Sequence, residues 1–434
     1  MAAPAVVNPE APRYLLINGL TGTESLAEYE SRGGYSALGH VVERDNPRDV
    51  IGNLESSGLR GRGGANFPTH TKWEMVRAAR PGPRYVICNG GEHEPGSLKD
   101  RELMTHYPHT VLEGLLIAAH TVGAHKAYVY ITEDQAQALT SIRTAIDELE
   151  EAGYRQGGNK RFHCELVCIP GPSTYVSGEE TAAINAIEGR EAKPRKKPPY
   201  PTVEGLFSAP TLVNNSETLA HVPTILGRGA AWFRQIGTPG SPGTVLVTLT
   251  NGVNRPGVYE VAYGTPIRAI LDNCGGGTLG GRSVKAILPG GPSLPFLSAA
   301  ALDAPFEHES LKQAGSSVGC GAIRIWLEGE CMVEPILKFA EFFAQAQCGQ
   351  CAPCRMETSA FVLALRQIAN GTGSSNQIRQ MEKVAAFAGA KGGLCSLIPM
   401  AAATVFSGLR LFESDFRNHM EHRGCNRAGA PISV

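Results

Sequence analysis

The stretch Ala346–Thr358, AQCGQCAPCRMET, sets Cys348, Cys351 and Cys354 at intervals of three residues. A cubane iron–sulfur cluster needs four thiolates. A C-x2-C-x2-C run lets three of them wrap one side, and the fourth commonly comes from a distant position. Cys395, in KGGLCSLIPMAA between two expected helices, is the natural fourth ligand. Two other readings stand beside this one. A tetrahedral zinc site usually has two CxxC knuckles rather than three cysteines in series, and buried free thiols need no ligand. Cys88, Cys164, Cys168, Cys274, Cys320, Cys331 and Cys425 lack such spacing, and most of them read as core packing.

Around the cysteine loop, apolar residues recur at three-four spacing in VEPILKFAEFFAQAQ, SAFVLALRQIANG, SNQIRQMEKVAAFAGA and AAATVFSGLRLFESDFRNHME. Residues 333–434 therefore read as a helical bundle, with the loop between its first two helices. Upstream, GTVLVTLTNG, GVYEV, TPIRAILDNCGG and SVKAILPGG give strand, strand, helix and strand, a small α+β module over 240–332. Residues 1–239 alternate strands (RYVICNGG, KAYVYIT, FHCELVCIP) with helices (VLEGLLIAAHTVGA, DQAQALTSIRTAIDELEEAG capped by Asp134, GEETAAINAIEG). That alternation predicts an α/β layer on a mostly parallel sheet.

Composition narrows the function. The 434 residues carry a formal charge of −1, and the longest basic tract is KPRKK, so nothing favours nucleic acid. Small molecules and other proteins are the expected partners. The start, MAAPAVVNPEAPRYLL, lacks the basic and apolar regions of a secretory signal. The most apolar run, VLEGLLIAAHTVGAHKAYVYI, is broken by Glu113, His120, His125 and Lys126, too often for membrane insertion. Eleven cysteines without a signal point to reduced thiols in the cytoplasm.

Four further stretches carry candidate chemistry. GLRGRGGANFP packs Gly58, Gly61, Gly63 and Gly64 around the cation Arg62. It is neither a Walker A loop nor a dinucleotide fingerprint, and it reads either as a phosphate cradle or as an ordinary turn. CNGGEHEPGSLKDR places Glu92, His93 and Glu94 beyond a strand end, where open α/β sheets bind ligands. STYVSGEETAAIN puts Tyr175, Glu179 and Glu180 at a helix start, where the glutamates also suit the helix dipole. KKPPYPTVEGLF precedes TLVNNSET, whose Asn214 or Asn215 also suits an N-cap.

Taken in order, GLRGRGGANFPTHTKW, GEET, KPPYP, VNNSET and CGQCAPCR resemble the flavin-bearing, NADH-oxidising subunit of respiratory complex I. The family includes the diaphorase subunits of NAD-linked hydrogenases and formate dehydrogenases. The resemblance runs from about Asn53 to His419 and implies a flavin domain, a ubiquitin-like, soluble-ligand-binding β-grasp module and a helical cluster domain. It implies FMN held by Gly61, Arg62, Gly63, Gly64, Lys72, Asn89, Glu92, Tyr175, Gly178, Glu179, Val213, Asn214, Asn215 and Thr218. It implies an NAD(H) site using Phe67, Glu94, Glu180, Lys197 and Tyr200, with Glu94 and Glu180 as its catalytic carboxylates. Cys348, Cys351, Cys354 and Cys395 match the family's [4Fe–4S] ligands.

The implied partners are a small [2Fe–2S] thioredoxin-like subunit and a larger iron–sulfur or catalytic subunit. The implied location is cytoplasmic, free or at the periphery of a membrane complex. Departures from the family pattern gather around the nucleotide and flavin: Gly91 for an aspartate, Gly90 for an alanine, His93 for a small residue, Asn66 for a glycine, and Met75 and Tyr200 for phenylalanines. They predict a raised flavin potential and weaker nucleotide binding. Two alternatives follow. One is an FMN and [4Fe–4S] conduit that exchanges electrons with ferredoxin or another protein instead of NAD(H). The other is a structural subunit keeping only its cluster.

Overall fold

Apolar runs bounded by turn residues become the strands β1 (Tyr85–Gly90), β2 (Lys126–Thr132), β3 (Glu165–Gly171) and β4 (Thr211–Asn215). The helices among and around them are α1 (Pro47–Ser57), α2 (Thr69–Arg77), α3 (Lys99–His106), α4 (Pro108–Val122), α5 (Ala136–Glu151), α6 (Glu180–Ile187) and α7 (Ser216–Arg228). This computed structural model describes residues 16–17, 19–154 and 162–422, so Cys425 lies outside the described residues. The chain forms two units. One comprises Met1–His93, Ser97–Thr248 and Gly257–Thr265, the other Glu94–Gly96, Leu249–Pro256 and Pro266–Val434.

In the first unit the strands run parallel in the order β3-β2-β1-β4. The chain leaves β1 for β2 and then β3 on one side, and returns on the other side as β4. The winding direction therefore reverses between β1 and β4. Asn89 on β1 stands in register with Tyr130 of β2 and with Asn215 of β4. Helix α4 is buried nearly all round and packs on α7. A Cβ on Gly114 would lie 2.0 Å from the Leu219 carbonyl oxygen, so only glycine permits that approach. The end of α1 is closed by Gly58, which adopts the left-handed conformation (φ 71°).

Two caps differ in outcome. Helix α5 starts at Ala136 with Gln135 at its N-cap and no side-chain cap, so the expected Asp134 cap does not form. Asn215 is the N-cap of α7, its side chain accepting from the Glu217 N–H at 3.1 Å.

The pair β5 (Thr244–Leu249) and β6 (Gly257–Ala262) follows. In the second unit β7 (Val284–Leu288), β8 (Leu297–Ser298) and β9 (Ala322–Leu327) pair antiparallel in the order β9-β7-β8. The helix expected in TPIRAILDNCGG shrinks to one short turn, Ile267–Ala269, opening into the wider turn Ile270–Cys274. The C-terminal helices are α8 (Val333–Ala346), α9 (Ala352–Ala369), α10 (Ser375–Lys391), α11 (Leu397–Leu411) and α12 (Glu413–His422). The expected last helix is thus two, parted at Phe412, whose ring turns inward against Phe296. Among the described residues no helix is long and apolar enough to cross a membrane.

Candidate functional site

The carboxyl ends of β1 and β4 flank the reversal of winding, the place where open α/β sheets leave a crevice for a ligand. Three amide side chains cluster there. Asn89 donates to the Gly178 carbonyl (2.9 Å) and accepts from the Gly91 N–H (3.1 Å), tying β1 to the turn Tyr175–Gly178. Asn214 accepts from the Trp73 indole of α2 at 2.9 Å. Asn215 donates to the Asn89 carbonyl at 3.3 Å.

The glycine loop meets these ends. The Gly61 N–H donates to the Phe67 carbonyl (2.9 Å) and closes the loop. Gly64 takes φ 103°, open to glycine without strain. A Cβ on Gly63 would sit 3.2 Å from the Asn215 Cβ. Arg62 turns inward: its guanidinium donates to the carbonyls of Arg60 (2.9 Å), Thr244 (3.2 Å) and Pro242 (3.2 Å), over the Tyr263 ring. Its N–H donates to the Thr218 hydroxyl at 2.9 Å. Arg62 therefore braces the loop, leaving bare glycine backbone to approach a ligand.

Lysines and glutamates converge beside it. Lys72 Nζ donates to the Val213 carbonyl (3.1 Å) and lies 3.5 Å from Glu180 and 6.0 Å from the Phe67 ring centre. Lys197 reaches Glu179 at 2.7 Å and Glu180 at 3.2 Å. Burial works against the Lys197 charge, but the two glutamates outweigh it and raise its pKa. The Glu179 carboxylate also caps α6, accepting from the N–H groups of Thr181 (2.9 Å) and Ala182 (3.1 Å). Phe67, Met75 and Tyr200 are exposed. Tyr175 is half-buried at the start of its turn.

Glu94 belongs to the second unit, where its carboxylate accepts from Ser293 N–H (2.8 Å) and Oγ (2.7 Å). Glu92 accepts from Ser97 Oγ (2.5 Å) and the N–H groups of Asp100 (3.2 Å) and Arg101 (3.0 Å), capping α3 from outside the helix. Burial, then the nearby Asp100 charge, raises its pKa.

His93 Nε2 lies 2.8 Å from Ser177 Oγ, and burial lowers its pKa to about 4, so the ring is neutral at pH 7. At Gly91 a Cβ would come within 3.0 Å of Asn89 Oδ1 and of Tyr130 Cε1. The backbone is thus crowded where the family pattern has a carboxylate.

Sequence reasoning passed over a buried charge cluster below these residues. Lys99, Asp100 and Glu217 are 1%, 5% and 0% exposed. Burial opposes the Lys99 charge, yet Asp100 and Glu217 outweigh it and raise its pKa. The tract KDRE at a helix start reads as a solvated first turn, so local pattern hides it. Its one signal is the apolar flank Leu103–Met104.

In the helical region Cys348 and Cys351 lie on the loop before α9, Cys354 in its first turn, and Cys395 between α10 and α11. N–H groups reach two of the sulfurs, Leu394 N to Cys351 Sγ and Gln350 Nε2 to Cys348 Sγ, both at 3.4 Å. Burial raises the Cys354 pKa to about 12, and the next contributions come from Cys395, Cys351, then Glu357 and Cys348, so the four thiols share one region.

Among the described residues no three His, Cys, Asp or Glu side chains close on a single ion. A cubane iron–sulfur cluster takes a cysteine thiolate at each of four outer corners, which fits this all-thiol set. The glycine loop, the three amides and Lys72 likewise fit a ring cofactor bearing a phosphate.

Three family models match the chain: the Nuo51 FMN-binding domain over residues 54–224, the SLBB domain over 246–297, and the NADH-ubiquinone oxidoreductase-F iron-sulfur binding region over 334–419. The NADH-quinone oxidoreductase F 2 subunit of Rhizobium meliloti (strain 1021) is 40% identical over 403 residues, 92% of this chain and 95% of that protein. The NADH-quinone oxidoreductase F subunit of Escherichia coli (strain K12) is 38% identical over 396 residues, 90% of this chain and 88% of that protein. A crystal structure of NAD+-reducing [NiFe]-hydrogenase in the H2-reduced state superposes with TM-score 0.81 at 30% identity, over 95% of this chain and 69% of that one.

Proposed function

The chain belongs to the family of NADH-quinone oxidoreductase F subunits, and we infer from this that it passes electrons between NAD(H) and iron–sulfur clusters. It is an oxidoreductase of the NADH dehydrogenase type, with FMN and a [4Fe–4S] cluster as cofactors and NAD(H) as substrate. When bound, FMN takes up a hydride as an electron pair and releases single electrons, which a [4Fe–4S] cluster accepts one at a time.

The observation that carries the residue assignment is the convergence of the glycine loop with Asn89, Asn214 and Asn215 where the sheet reverses its winding. We assign the FMN phosphate to the backbone N–H groups of Gly63 and Gly64, in a loop closed by the Gly61 N–H on the Phe67 carbonyl and braced by Arg62 and Thr218. Asn89, Asn214, Asn215 and Lys72 take the polar edge of the flavin, with Glu92, Tyr175, Gly178, Glu179 and Val213 shaping the pocket. Phe67 and Tyr200 offer aromatic faces to the nicotinamide nucleotide, and Glu180 with Lys197 orients it. Cys348, Cys351, Cys354 and Cys395 hold the cluster.

The three matched ranges nest within segments 1–239, 240–332 and 333–434, which supports flavin, β-grasp and cluster domains. The relatives are named as subunits. That supports a complex in which a small [2Fe–2S] thioredoxin-like protein and a larger iron–sulfur or catalytic subunit take the electrons, on the cytoplasmic side. Anaerobic addition of NADH to the purified protein should bleach its flavin absorbance. Intact flavin bands that NADH leaves untouched would replace NAD(H) with a protein donor.

A further inference from the structure

Lys99, the first residue of α3, is buried among three oxygens: Asp100 Oδ1 at 2.9 Å, Glu217 Oε2 at 3.0 Å and Asn215 Oδ1 at 3.1 Å. The ammonium donates to Asp100 Oδ1 and Asn215 Oδ1, and Glu217 Oε2 faces it as an ion-pair partner without a hydrogen bond. Its neighbours are held in turn. Glu217 Oε1 accepts from the Leu246 N–H at 2.8 Å. Asp100 accepts from Ser216 Oγ (2.5 Å) and from Asn215 Nδ2 (2.9 Å).

The result is that the Asn215 amide is gripped at both ends, its oxygen by Lys99 and its nitrogen by Asp100 and the Asn89 carbonyl. Asn215 is also the residue against which Gly63 packs and the N-cap of α7. One buried cation thereby fixes the side chain that joins the glycine loop, the end of β1 and the start of α7.

Stability alone does not account for such a cluster. Taking charges out of water is costly, and buried ion pairs are often replaced by apolar residues without loss. Two anions and one cation in direct contact, all within 5% exposure, are a poor choice for holding a fold together. Their common product is the orientation of Asn215.

We propose that Lys99 is a positioning residue of the flavin site: it sets the Asn215 amide, and through it the glycine loop, in the geometry that receives FMN. The proposal rests on the assignment of FMN to the end of β1 and β4. Lys99 does not touch the cofactor in this scheme, and its effect on FMN runs through Asn215.

Lys99→Met alone leaves Asp100 and Glu217 buried without their cation, so loss of folding there would be uninformative. The test is the double variant Lys99→Met, Glu217→Gln, which removes one charge of each sign. The full-length chain, freed of flavin, is titrated with FMN by fluorescence quenching, with circular dichroism and thermal melting recorded alongside. The expected result is a folded protein of near wild-type Tm whose FMN dissociation constant is at least ten-fold weaker, because a positioning defect survives charge balancing. A folded double variant that binds FMN as tightly as wild type overturns the role of Lys99 while leaving the flavin site standing. Wild-type chain that takes up no FMN overturns the flavin assignment, and the proposal with it. Should the double variant not fold, Lys99→Arg keeps the charge but not the geometry. Wild-type FMN affinity in that variant overturns the proposal, and a ten-fold loss at unchanged Tm supports it.

Discussion

Gly63 and Asn215 approach so closely that a methyl group on the glycine would lie 3.2 Å from the asparagine Cβ. The glycine loop is thereby fixed to the end of β4, and no side chain fits between them without displacing one or the other. Gly63→Val should weaken FMN binding about 5- to 150-fold, the range that crowding of about 1–3 kcal/mol gives. The ratio of flavin to protein absorbance after purification measures it. Stoichiometric FMN in the variant would mean the loop lies away from the cofactor.

Cys395→Ala removes one of the three thiols gathered near Cys354. Because cluster ligation and folding are coupled, the variant should lose the cluster's iron and its EPR signal, and the helical region should melt earlier. Unchanged iron content would remove Cys395 from the ligand set.

Gly91 separates crowding from charge. Gly91→Ala and Gly91→Asp both add a Cβ 3.0 Å from Asn89 Oδ1 and Tyr130 Cε1, and both should lower stability by about 1–3 kcal/mol. Only the aspartate adds negative charge beside the proposed flavin. Adding electrons there becomes harder, so its midpoint potential should fall below that of the alanine variant. A charge-assisted interaction of about 1.5–3 kcal/mol corresponds to about 30–60 mV for a two-electron couple. A redox titration giving equal potentials for the two variants would take position 91 away from the flavin.

Glu357 gives the fold a pH dependence. It is 0% exposed in α9, both carboxylate oxygens lack a hydrogen-bond partner, and burial raises its pKa from 4.5 to about 8. The folded state therefore holds this proton more tightly than the unfolded chain. Its contribution is complete below pH 4.5 and is lost as pH climbs through about 8. Glu357→Gln should leave the Tm near pH 5 unchanged and raise it by a few degrees at pH 8. A variant that melts with the wild-type pH profile would show that the carboxyl stays solvated.

Strands β1 to β3 and the spacing of the three cysteines were legible because each rests on local pattern, an apolar run between turn residues or thiols at fixed intervals; β4 was not, because TLVNN is short and ends in two asparagines that read as a helix start. What local pattern cannot carry is strand order. β4 lies beside β1 rather than β3, and that neighbour makes the crevice and brings Asn215 to Asn89. Arg62 reads as a cation offered to a phosphate, yet three carbonyls distant in sequence or hidden by the loop draw it inward. Lys99 and Asp100 look like an exposed helix start, and only the tertiary approach of Glu217 makes them a buried cluster. The break at Phe412 was hidden because helical periodicity continues across it, while the aromatic ring is claimed by Phe296.

The four cysteines assigned to the cluster, Cys348, Cys351, Cys354 and Cys395, lie on the C-terminal helices and the loops between them, whereas every residue assigned to FMN lies between Gly61 and Thr218. During synthesis at about 5–20 residues per second, the flavin-binding residues leave the ribosome roughly 6–25 s before the first cluster cysteine. That interval gives the nascent flavin domain time to close before the cysteines assigned to the cluster emerge. Cells starved of iron should accumulate chains carrying flavin without cluster, while cells starved of flavin have no comparable interval in which the cluster is made first.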